Sequence, residues 1–185
     1  MGNIRGVAFS AIVKYVKETY GREGIQKILD NLADEDKKVM EGKFESMHWY
    51  PGSAFVKFIS IADKVCGEGD YKVCYMTGRE VAEYIFGGVY RMFLEIGKPH
   101  TVIRRGPLAW RLMNSTGELE IEILQEDFTR AKLVGFEDYS KAHCWHVVGL
   151  FQRVIELSGA RNVDVKEIQC RTEGAEYCGF EARWE

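Results

Sequence analysis

Glu118-Leu119-Glu120-Ile121-Glu122-Ile123 is where the chain changes its period. Charged and apolar residues alternate through it, which puts three glutamates on one face and Leu119, Ile121 and Ile123 on the other. That is the pattern of a half-buried strand. After Gln125-Glu126-Asp127 a second, weaker strand is predicted over Phe128 to Val134, then a helix from about Ser140 to Leu157 with Gly159 as its stop. Two further strands, Asn162 to Cys170 and Tyr177 to Trp184, close the chain.

Before Glu118 the periodicity is helical. Asn3 is placed to cap a helix carrying Val7, Ala11, Ile12 and Val16, which Gly21 ends, and a short helix follows through Ile25, Ile28 and Leu32. Asp34 to Lys43 is charged and expected to be exposed, and His48-Trp49-Tyr50-Pro51-Gly52 reads as an aromatic turn. Ser53 is placed to cap a helix ending near Cys66-Gly67. Thr77 and Glu80 read as a capping box opening an apolar, central helix to about Ile96, stopped by Gly97 and Pro99. The predicted class is α+β, one domain over residues 1–185, with a helical N-terminal two-thirds packed on an antiparallel sheet of about four strands.

Composition narrows the functions. The 185 residues are 46% hydrophobic and 29% charged, with a formal net charge of −3, which argues against a nucleic-acid binder. No stretch approaches the length of a membrane span and no secretory leader opens the sequence, so a cytoplasmic location is expected. In that compartment the five cysteines stay reduced, and clustered ones are more often metal ligands than disulfides.

Cys170 and Cys178 sit at the two ends of a hairpin, and Cys144 lies on the apolar face of the preceding helix, the face that must pack on the sheet. Val163 and Val165 share one strand parity whereas Ile168 and Cys170 share the other. A β-bulge near Lys166-Glu167 reconciles them and re-aims Glu167. Three thiolates and a carboxylate would make a closed, structural zinc site. His143 and His146 compete for the fourth place but flank Cys144 on the helix and point elsewhere. On spacing alone, three small buried core thiols is the plainer reading. Cys66 and Cys74 repeat the same spacing with no third ligand nearby, and are read as loop thiols, with a local redox pair as the alternative.

The stretch Cys144 to Trp184 resembles the end of the vinyl reductase domain family. The resemblance rests on Cys144, Gly159-Ala160, Val165-Lys166-Glu167-Ile168-Gln169-Cys170 and the tail Glu173-Gly-Ala-Glu-Tyr-Cys-Gly-Phe-Glu-Ala-Arg-Trp184. Similar domains serve as sensory domains of phenol- and xylene-responsive activators. More distant relatives are haem nitric-oxide-binding domains and TRAPP vesicle-tethering subunits. The resemblance implies zinc held by Cys144, Glu167, Cys170 and Cys178, a ligand-binding domain like those of NO signalling and Golgi transport proteins, and a homodimer. It also implies a small hydrophobic or aromatic ligand, reported to a separate signalling partner.

Candidate pocket residues are His48, Trp49, Tyr90, His100 and Trp110, aromatic rings with a few polar atoms. No glycine-rich dinucleotide loop or nucleophile triad stands out, so catalysis is not expected. The alternatives are a tetrapyrrole-handling protein or vinyl reductase, which would be coloured, and a TRAPP-like assembly subunit, whose core would be filled.

Overall fold

The computed structural model describes residues 2–87 and 98–185. The chain opens with β1 (Asn3–Arg5), then α1 (Gly6–Asp30), α2 (Asp34–Met40), β2 (Trp49–Pro51), α3 (Gly52–Cys66) and α4 (Lys72–Phe86). After the undescribed stretch come α5 (Pro99–Arg104), α6 (Gly106–Met113), β3 (Glu118–Gln125), β4 (Phe128–Val134), α7 (Lys141–Leu157), β5 (Asp164–Gln169) and β6 (Cys178–Arg183). The four long strands form one antiparallel sheet in the order β3-β4-β6-β5. Helices α7 and α4 pack in succession away from it, so the α+β class and the helices-on-sheet arrangement hold.

Several sequence expectations shift. Asn3 caps nothing: it belongs to β1, which pairs with β2 out of the expected aromatic turn. Gly21, at φ 69, breaks α1 rather than ending it. Asp34 to Met40 is helical, with Asp36 and Met40 buried. Helix α3 starts at Gly52 with no side-chain cap from Ser53. Helix α4 begins at Lys72, five residues before the expected capping box, and Asp63 serves its start by accepting from the Tyr71 and Val73 amides at 3.0 Å each. Thr77 therefore lies inside a helix, buried. Tyr84 on α4 is 42% exposed, so that helix is not apolar all round. The expected continuation to Ile96 lies largely outside the described residues.

Elsewhere the reading holds. Ser140 caps α7 by accepting from the His143 amide at 3.1 Å. The β5–β6 ladder shifts register between Glu167 and Gln169, within a residue of the expected bulge. Ile168 is thereby turned out to 50% exposure, while Val165 and Cys170 stay buried. Among the described residues no helix is long and apolar enough to cross a membrane.

Candidate functional site

The first turn of α7 and the β5–β6 hairpin bring four ligand atoms together. Cys144 Sγ lies 3.6 Å from Cys170 Sγ and 3.5 Å from Cys178 Sγ. One donor atom from each of Cys144, Glu167, Cys170 and Cys178 falls within 4.8 Å of all the others. Tetrahedral zinc with Zn–S bonds near ~2.3 Å needs sulfurs about 3.8 Å apart, so the three thiols already stand near the required spacing. All three are buried. Oε1 of Glu167 is also buried and lacks a hydrogen-bond partner among the described residues, whereas Oε2 accepts from Lys141 Nζ at 2.7 Å. An orphaned carboxylate oxygen beside three thiols is costly without a cation.

Neighbouring donors already serve the sulfurs. The Thr172 hydroxyl is 2.9 Å from Cys170 Sγ, and the backbone amide of Arg171 bonds Cys178. The hydrogen bond to Cys178, with burial and the Glu167 carboxylate behind it, pushes Cys144 far up, and the same bond holds Cys178 down at about 6. Burial raises Cys170. Protons are thus held unevenly among crowded thiols, the electrostatic arrangement a bound cation relieves. Cys66 and Cys74 take no part: Cys66 lies 3.8 Å from Gly24 O and Cys74 lies 3.4 Å from Ile59 O.

Beside this cluster, on the adjacent stripe of α7, lies a cavity of about 160 Å³. Its walls come from β1, α1, α3, α4, α6, β3 and α7 and are apolar except for Arg105, Asn114, His143 and His146. Both histidines are buried, at 3% and 4% exposure. His143 stacks on Phe136 at 4.4 Å, and burial pushes it down to about 3. Burial, with His143 beside it, carries His146 well below the ordinary histidine range, so both rings are neutral.

The tautomer of His146 follows from its partner. The Thr77 hydroxyl donates to Cys74 O at 2.6 Å, so its oxygen accepts from His146 Nδ1 at 3.0 Å. Nδ1 therefore carries the proton and Nε2 is left as an acceptor.

The expected pocket residues are redistributed. Trp110 lines the cavity, but its Nε1 already donates to Thr116 O at 3.2 Å, so it offers a ring face rather than a polar handle. His48 is exposed and pairs with Glu45 at 2.7 Å; Trp49, 40% exposed, lies under the Arg5 guanidinium. Their ribbon, β1–β2, turns them to solvent, and neither reaches the cavity. His100 packs edge-on to Trp184, with its Nε2 buried and unpartnered among the described residues, outside the cavity lining. Tyr90 lies outside the described residues. The polar groups that do line it, His143 and His146, carry a sequence signal: two histidines three apart on an otherwise apolar helix face.

Residues 124–183 match the model of the vinyl-4-reductase domain, in keeping with the resemblance drawn from the same stretch. Among curated proteins none matches the chain at the level of sequence. Among solved structures, an H-NOX protein from S. oneidensis in the Fe(II)NO ligation state is 13% identical, with a TM-score of 0.74 over 98% of this chain and 99% of that one. An Fe(II) unliganded H-NOX protein from K. algicida is 12% identical, with a TM-score of 0.70 over 98% and 97%. At these identities the likeness is one of fold, extending over nearly the whole chain.

Proposed function

We propose that this chain is a zinc-stabilised module that binds a small, neutral, largely apolar or aromatic molecule. The carrying observation is the cavity of about 160 Å³, apolar apart from a few polar groups and holding two neutral histidines. An engineered apolar cavity of about 150 Å³ binds benzene, so this volume suits a single ring with a small substituent. The Nε2 acceptor of His146 favours a ligand that carries a hydrogen-bond donor, such as a hydroxyl. A free carboxylate has nothing cationic to meet at that ring.

Zinc, held by Cys144, Glu167, Cys170 and Cys178, would supply a cross-link between α7 and the β5–β6 hairpin. With four protein ligands and no open position its role is structural. The chain is read as a binding module rather than an enzyme, working in the cytoplasm as a homodimer and reporting to a separate partner. The match to the vinyl reductase domain and the H-NOX-like fold support that reading.

The tetrapyrrole alternative fares worse, because a cavity of benzene size does not accommodate a four-pyrrole macrocycle. An assembly subunit is disfavoured by the cavity itself, since a purely structural core would be filled at native packing density. A thermal-shift screen over phenols, aromatic acids, fatty acids and tetrapyrroles, on protein whose metal content is measured in parallel, tests the proposal. A ligand at a hundred times its Kd stabilises by about 2.7 kcal/mol. The expected result is one zinc per chain and a shift with neutral single-ring donors. Metal-free, colourless protein that no compound stabilises would overturn it.

A further inference from the structure

Helix α7 begins at Lys141, three residues before Cys144, so the two side chains leave the same face of its first turn. Lys141 Nζ reaches Glu167 Oε2 at 2.7 Å and Glu173 Oε1 at 2.6 Å. The Glu167 side chain is 10% exposed and its second oxygen, Oε1, is buried without a partner among the described residues. The donors that the Arg171–Thr172 turn supplies go to the sulfurs of Cys170 and Cys178.

We infer that Lys141 is the positioning residue of the metal centre: by holding Oε2 of Glu167 it turns Oε1 toward the three thiols and offsets part of their charge. This rests on the zinc reading above. A carboxylate is planar, so fixing one oxygen to an ammonium fixes where the other points. The bulge alone leaves the Glu167 side chain its rotamers; the ammonium selects among them. The charge balance points the same way. Three thiolates and a carboxylate carry four negative charges, a divalent cation neutralises two, and Lys141 supplies a third positive charge from within hydrogen-bonding distance of a ligand. An ordinary exposed ion pair contributes little. This one differs because its acceptor is nearly buried and is itself part of the donor set. Outer groups that orient metal ligands commonly set affinity by about 10- to 100-fold.

The test uses the full chain, with zinc affinity measured by competition against a chromophoric chelator and cobalt(II) as a spectroscopic probe. Lys141→Met keeps the aliphatic stem and removes the charge. It is expected to weaken zinc by about 10- to 100-fold and to shift the cobalt ligand-field bands as the carboxylate leaves the set. Lys141→Arg should recover most of both, which a general loss of stability would not do. Glu173→Gln removes the competing exposed acceptor and should leave affinity unchanged or raise it. It also keeps the inference testable if Lys141→Met does not fold. Wild-type and Lys141→Met proteins with equal zinc affinity and the same cobalt spectrum would overturn the inference. So would a fall in affinity for Glu173→Gln as deep as that expected of Lys141→Met. Wild-type protein that binds no zinc would instead overturn the metal reading itself.

Discussion

Replacing Gly149 by alanine is a sharp test of how α7 is held, because two effects of opposite sign compete. Helix propensity favours alanine over glycine by about 1 kcal/mol. Packing opposes it. A Cβ at Gly149 would stand 2.0 Å from the Tyr75 carbonyl oxygen and 2.8 Å from its carbon, where real Cβ contacts stay above 3.0 Å. The reciprocal contact is as tight, a Cβ at Gly78 meeting the His146 carbonyl oxygen at 1.9 Å. Both obstacles are backbone, so no side chain can swing aside, and α4 and α7 must separate locally by about 1 Å. A gap of that size forfeits a quarter to a half of each facing dispersion contact. Overpacking of this kind costs about 1–3 kcal/mol, occasionally more. The net expectation is a loss of roughly 2–3 kcal/mol after the propensity gain, which for a domain of this size lowers Tm by roughly 4–12 °C. The Thr77–His146 bond spans the same crossing, so ligand response should fall with stability. Gly106→Ala is the control, since its Cβ would meet Leu119 Cδ2 at an ordinary 3.4 Å. Calorimetry of zinc-replete protein decides the matter. A Gly149→Ala Tm equal to or above wild type would refute the close-crossing argument.

The other expectations are briefer. Cys170→Ser or Cys178→Ser should release zinc and lower Tm while Cys66→Ser does neither, read by elemental analysis and thermal melts; metal retained in both ligand variants would contradict the assignment. X-ray absorption should report three sulfurs and one oxygen around the metal, whereas sulfur with nitrogen would bring His143 or His146 back into contention. Phenol should stabilise the protein more than toluene does, and His146→Phe should erase that difference; equal shifts in wild type would remove the acceptor role of Nε2. Glu156 is lowered overall: burial would raise it, but hydrogen bonds from Arg79 at 2.9 Å and Arg153 at 2.8 Å outweigh that effect. Its contribution is therefore present above the ordinary carboxylate range and lost as pH falls through the lowered value. Glu156→Gln should flatten the acid side of the urea stability profile, and an unchanged slope there would show that the pair contributes nothing.

What the sequence disclosed, and what it hid, follows from how local each signal is. The strand at Glu118, the cap at Ser140 and the bulge beside Glu167 are written in short-range patterns of period and parity, and these survive folding. The meeting of the three thiols was legible because hairpin ends and an apolar helix face dictate which of them converge. The pocket was not. Trp49 and His48 looked like ligand residues because aromatic density in a turn is conspicuous, yet β1–β2 pairing fixes their outward direction and no local pattern announces that pairing. Thr77 looked like a cap because T-x-x-E is a capping pattern, but the Asp63 carboxylate, fourteen positions earlier, starts that helix instead.

Helix α7 explains how a metal and a cavity can belong to one design. Cys144, Val148 and Ile155 lie on the stripe that meets the sheet, and His143, Val147, Leu150 and Val154 lie on the next stripe, which lines the cavity. A helix places neighbouring residues about a hundred degrees apart, so a single element can face a metal on one side and a ligand on the other. Its C-terminal half is tied to α4 by the Arg79–Glu156 pair, and its middle by the glycine crossing. Its N-terminal turn, which carries both His143 and Cys144, is held instead by the thiol cluster, reached from β5 and β6. On the proposed reading, a closed metal centre at that end serves the cavity by fixing the turn that presents its histidine.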